Sequence, residues 1–198
     1  MDYTQDTMYC EIESYLHHIN FAINCYEAYN ALYDIGESDS YFLDISPGFF
    51  TITRYALSKC LLIETAKLFC GSGEERTIPK LIKIVKSNNS LFANDRAKKL
   101  CEDASNAITN DFANTISKIK LRRNQDLSHN DPLFFYGNTN PAKVNYISPD
   151  DIQKILFFSF DFCVELLECL SYDEKVILTH GADDLRNLVA KIYGLNQN

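Results

Sequence analysis

From Ile12 onward the apolar residues Ile12, Tyr15, Ile19, Ala22, Tyr26, Tyr29 and Tyr33 return in steps of three and four. An α-helix turns once in about 3.6 residues, so this spacing lays them along one stripe of a long helix ending near Gly36. A stripe of that length has to be covered, and the rest of the chain offers helices to cover it. Pro47 to Phe69 is apolar on more than one face and stops at Gly71-Ser72-Gly73, which predicts a central helix with a glycine C-terminal cap. Thr77 stands before Ile78-Pro79, and a proline is well tolerated in a first turn, so a short helix is expected up to Ser87. Asn94-Asp95 caps a fourth helix with Cys101, Ala104, Ile108, Phe112, Ile116 and Ile119 at helical spacing, running on until Pro132 stops it. Residues 132–148 mix Gly, Pro and Asn with aromatics and read as an ordered loop. Ser148-Pro149-Asp150-Asp151 opens a fifth helix to Leu170, and a sixth runs from about Asp183 to Tyr193. No segment alternates with a period of two, so the expectation is an all-α bundle of about five to six helices, with residues 1–198 as a single domain.

Charge and cysteine usage narrow the function. A formal charge of −8 repels a polyanion at long range, so the chain cannot coat nucleic acid through its net field. A local basic patch can still bind it. Seven cysteines lie scattered in apolar stretches without a C-x-x-C pair, as expected of reduced thiols that pack in a core. The acidic start MDYTQDTMYCEIE has no basic n-region or apolar run, and no stretch is long enough for a membrane span. The expected location is the cytoplasm, with no membrane partner.

The chemistry gathers in Leu121-Arg122-Arg123-Asn124-Gln125-Asp126-Leu127-Ser128-His129-Asn130-Asp131. Cleaving RNA without a metal needs a group of near-neutral pKa to move the 2′-hydroxyl proton, which suits His129. It also needs a fixed positive charge on the phosphate, and arginine supplies a planar, bidentate, permanently protonated donor. On a continuous helix Arg122, Gln125 and Asp126 share the face of His129, while Arg123 lies roughly 120° away. A tightened or bulged last turn would change that assignment, so both arginines stay candidates. Near a helix C-terminus and beside Asp131, the imidazolium of His129 is expected to be stabilised. The bland alternative is that His129 caps the last turn and the arginines simply suit a helix C-terminus. Between Asn94 and Arg123, however, seven basic residues (96, 98, 99, 118, 120, 122 and 123) face four acidic ones (95, 102, 103 and 111). Positive charge therefore concentrates on the approach to the motif, and Arg122, Lys120 and Lys118 are the candidate substrate-binding residues.

An arginine, a polar residue and, several positions later, a histidine resemble the signature of the HEPN superfamily (higher eukaryotes and prokaryotes nucleotide-binding). Here these are Arg123, Asn124 and His129, and the trailing Ser128-His129-Asn130-Asp131 is similar to the ending in the AbiU-like branch of abortive-infection proteins. The resemblance implies a HEPN-like helical bundle that forms a homodimer, with two copies of the motif facing one cleft as a composite ribonuclease site. It implies His129 as the acid/base for 2′-hydroxyl attack, Arg123 as phosphate binder and Asn124 as an orienting residue, with RNA as substrate and no cofactor or metal. Gln125 and Asp126 stand where family members often carry basic residues.

Two other readings stay open. One is a noncatalytic helical interaction module of a defence or toxin–antitoxin system, partnered by a cognate antitoxin. The other is a nucleotide-binding module serving a separate nucleotidyltransferase. Elsewhere, His17 and His18 lack a carboxylate or cysteine pattern that fixes a metal, and His180 stands alone. Gly71-Ser72-Gly73 follows a helix rather than a strand and reads as a turn. Phe134, Phe135, Tyr136 and Tyr146 could stack on RNA bases, though covering the core is the commoner use of such residues.

Overall fold

The computed structural model describes residues 3–38, 46–71, 76–93, 95–124 and 145–170. Among these residues the secondary structure is wholly helical: α1 (Gln5–Ser38), α2 (Pro47–Phe69), α3 (Ile78–Ser87), α4 (Arg96–Thr109), α5 (Ala113–Arg122) and α6 (Pro149–Cys169), with a 3₁₀ turn at Asn89–Leu91. The all-α expectation holds. The sixth helix expected near 183–193, and all but the last four residues of the loop expected over 132–148, lie outside the described residues.

α1 and α6 form the spine. Met8, Ile12, Tyr15, Ile19, Ala22 and Tyr26 are buried on α1, and they pack against both α2 and α6. The Tyr15 hydroxyl that this stripe drives inward is satisfied, donating to the carbonyl of Thr77 at 3.2 Å. Towards the end of α1 the stripe departs from its sequence reading. Tyr29 is half-buried and Tyr33 is 46% exposed, while Ala31 and Leu32 are buried instead. Tyr33 packs its ring beneath the guanidinium of Arg54, 5.2 Å from the ring centre, so a cation covers it rather than the core.

α6 is buried almost all round, by Ile152, Ile155, Leu156, Phe160, Cys163 and Leu166 among others, because α1 lies on one side and α4 on another. Its start follows from its sequence: the Ser148 hydroxyl accepts from the Asp150 amide at 3.2 Å, Pro149 needs no partner there, and Asp150 and Asp151 face the positive end of the helix. α3 is a small amphipathic helix capped by Thr77, whose hydroxyl accepts from the Lys80 amide at 3.3 Å, and it buries Ile78, Leu81, Ile82 and Val85. α4 meets α3 and α6 through the small residues Ala97, Cys101 and Ala104, which allow close approach. Arg96 bridges α4 to α6 at the surface, 3.0 Å from Glu165 and 3.1 Å from Glu168.

Two expectations require correction. The helix predicted to run unbroken from Asn94 to the motif is two helices, divided at Asn110–Phe112. The Thr109 hydroxyl donates back to the Ser105 carbonyl and the Phe112 amide closes onto the Ala107 carbonyl, ending the first helix where Thr-Asn-Asp favours a turn. The Phe112 ring then packs against Phe158 of α6 at 5.0 Å, which fixes the direction in which α5 leaves. α2, expected to be central along its length, is buried only in its second half by Leu61, Leu62, Thr65, Ala66, Leu68 and Phe69. Its first half exposes Phe49, Ile52 and Tyr55 at 61%, 70% and 63%. Among the described residues no helix is long and apolar enough to cross a membrane.

Candidate functional site

The basic stretch is shared between two elements. Arg96, Lys98 and Lys99 belong to α4, on α3 and α6, whereas Lys118, Lys120, Arg122 and Arg123 belong to the end of α5, which packs on α2. The two groups are parts of one charged segment in sequence but not one helix face.

Within α5, Ile119 and Arg122 turn inward, three residues apart on one side. Lys118, four residues before Arg122, shares that side and is half-buried; Lys120 is exposed on the opposite flank. The structure therefore brings Arg122 and Lys118 to one face and leaves Lys120 off it. Arg122 is only 9% exposed and lines a cleft of about 250 Å³ together with Tyr29 of α1, Ser58 of α2, and Tyr146 and Pro149 at the entry to α6. Of the aromatics weighed from sequence for stacking on RNA or covering the core, Tyr146 is exposed and lines this cleft; Phe134, Phe135 and Tyr136 lie outside the described residues.

Arg123 has a different environment. Its guanidinium donates through one terminal nitrogen to the Cys70 carbonyl just past the end of α2, and through Nε to Asn124 Oδ1 at 3.1 Å. The last carbonyls of a helix lack amide partners and carry the negative end of its dipole, so a cation is stabilised there. The contact pins α5 to the end of α2. Burial pushes the Cys70 thiol above its ordinary value, partly offset by Arg123 and Lys120 beside it. Residues 123 and 124 continue α5 as a wider π-type turn, a local expansion that occurs often at functional sites. The 100° wheel that separates Arg122 from Arg123 thus ends at Arg122. Asn124 is exposed, and its side chain orients Arg123. His129 lies outside the described residues, as do Gln125, Asp126 and Asp131.

His17 is exposed and sits 4.0 Å from Glu13, whereas His18 Nε2 lies 2.9 Å from Glu64 Oε2, a link between α1 and α2. Nearby, the Cys25 thiol contacts Cys60 Sγ at 3.6 Å, and all seven cysteines are unbridged. Sequence reasoning missed Tyr29 and Ser58 as cleft residues. Tyr29 carried the same helical spacing as its core neighbours, and Ser58 had no partner nearby in sequence to mark it.

A model of the HEPN family described as AbiU2 matches residues 9–188, most of the chain. No curated protein and no solved structure matches it. A HEPN family match over this length agrees with the all-helical fold and with the Arg-Asn motif at the end of α5, and the chain belongs to the AbiU2 family of HEPN proteins.

Proposed function

We propose that this HEPN protein of abortive-infection type is a metal-independent endoribonuclease that works as a homodimer, with His129 as acid/base and the end of α5 as the phosphate-binding element. The observation that carries this reading is the family match over 9–188 together with a buried arginine, Arg122, at the wall of a cleft beside the motif. His129 takes the proton from the 2′-hydroxyl, the 2′-oxygen attacks phosphorus, and the P–O5′ bond breaks as the departing 5′-oxygen takes a proton from water, leaving a cyclic phosphate and a 5′-hydroxyl. Negative charge accumulating on the phosphate oxygens is met by arginine. Arg122 is the better candidate for that role because it lines the cleft, whereas Arg123 reaches the Cys70 carbonyl at the end of α2. Lys118 supports it from the same side of α5, and exposed Leu121 offers apolar surface for a second copy. The test is cleavage of a labelled RNA pool in EDTA: His129→Ala should lose roughly 10²–10⁴ in rate. Equal cleavage by wild type and variant would defeat the assignment.

One observation favours a second reading. Arg123 and Asn124 are engaged in holding α5 against α2, so the motif also serves as structure. In that reading the chain is a noncatalytic partner of an antitoxin or nucleotidyltransferase, and no RNA is cleaved under any condition tested.

A further inference from the structure

The cleft at Arg122 does not end at Ser58. A second cleft, of about 310 Å³, shares Tyr29 and Ser58 with it and continues along α2 past Thr51, Arg54 and Tyr55. Thr51, Arg54, Ser58 and Leu61 stand at intervals of three and four on one side of α2, and Thr51 to Leu61 spans about 15 Å at 1.5 Å per residue. Among the described residues lining the two clefts there is no carboxylate, although the chain as a whole carries −8, and two of them are arginines. Residues 46–62 likewise contain Arg54 and Lys59 and no acid. Three tyrosines, 29, 55 and 146, lie between and beside the cations, and Lys59 sits 5.1 Å from the ring centre of Tyr55.

We propose that this groove between the end of α5 and the start of α2 binds a short run of single-stranded RNA, its phosphates on Arg122 and Arg54 and its bases stacked on the tyrosines. A cationic groove interleaved with aromatic rings is the arrangement that binds unpaired strands, because every base has a face to stack and every phosphate a charge to neutralise. Duplex RNA keeps its bases inside the stack, where tyrosine rings on the protein surface cannot lie against their faces. The exposed apolar residues Phe49 and Ile52 beside the groove would also suit a protein partner, and arginine and tyrosine without carboxylates are common to both kinds of surface; what favours RNA is that the groove runs on from Arg122 beside the motif through Tyr29 and Ser58. The inference rests on the ribonuclease reading for its substrate and extends it by naming the strand form and the path that leads to the motif.

The experiment uses the full chain carrying His129→Ala, so that binding is read without cleavage, and follows the anisotropy of a short labelled oligouridylate. Tyr55→Leu, chosen because Tyr55 is largely exposed and dispensable for packing, should weaken binding roughly tenfold, while Tyr55→Phe should keep it. Arg54→Gln should weaken it and reduce the slope of log affinity against log salt by about 0.7. The same sequence paired into a duplex should bind at least about tenfold less tightly. No binding of the single strand, equal binding of the duplex, or unchanged affinity in both Tyr55→Leu and Arg54→Gln would overturn the proposal. So would variants that alter sedimentation while leaving RNA affinity intact, since the face would then be a protein interface. Strand binding lost in these variants without any cleavage by the unmutated chain would sustain the groove and defeat the ribonuclease reading. Cleavage indifferent to Tyr55 and Arg54 would do the reverse.

Discussion

Adjacent arginines at the end of α5 do different work. Arg123 spans from α5 to the Cys70 carbonyl, and a hydrogen bond from a charged donor contributes about 1.5–3 kcal/mol. Arg123→Ala should therefore lower stability by about that amount in urea unfolding, with Arg123→Lys retaining part of it; an unchanged midpoint would show that the contact is dispensable. Arg122→Ala should lower RNA binding and cleavage and, because the side chain is buried, lower stability as well. At Cys25, burial first, and then the hydrogen bond with Cys60, pushes the thiol from 9.0 to about 12. The folded form holds that proton more tightly than the unfolded one, so the stabilisation is fully present below about pH 9 and is lost as the pH rises towards about 12. Cys25→Ala should flatten the alkaline fall in stability relative to the wild type. In the folded protein at pH 8, Cys25 should resist alkylation while the exposed Cys10 reacts, as peptide mass spectrometry would show.

At the scale of elements, caps and prolines punctuate the helices. Thr77→Ala removes the acceptor for the Lys80 amide and should cost about 1 kcal/mol in thermal or urea unfolding, whereas Thr77→Ser should cost little. The same signals made much of the fold legible. α2 begins at Pro47, α3 runs from Ile78 after its threonine cap, and α6 opens at Pro149 after Ser148, all as their local residues dictate. The break before α5 was masked, because Ile108, Phe112 and Ile116 keep helical spacing straight through it and outweigh the turn preference of Thr109-Asn110-Asp111. The direction in which α5 leaves is set by the packing of Phe112 on Phe158, a contact no local pattern records. The site divides in the same way. Arg122, Arg123 and Asn124 stand together in sequence and could be found from it, but Tyr29, Ser58 and Tyr146 come from three distant segments and meet Arg122 only in the folded chain. Periodicity placed Tyr29 with the core; it cannot tell a covered ring from one that borders a cleft.

Among the described residues one core joins the six helices, with α5 attached through α2, so the geometry at the end of α5 depends on packing far from it. Leu156, fully buried at the middle of α6, should cost about 2–5 kcal/mol when changed to Ala, and cleavage should then fail at a lower temperature without a change in product chemistry. That chemistry is where the functional account stands or falls. The most direct measurement is end-group analysis of the RNA fragments produced by the unmutated protein in EDTA. The account predicts fragments with a 2′,3′-cyclic phosphate on one side of the cut and a 5′-hydroxyl on the other; fragments with 3′-hydroxyl and 5′-phosphate ends, or no fragments at all, would contradict it.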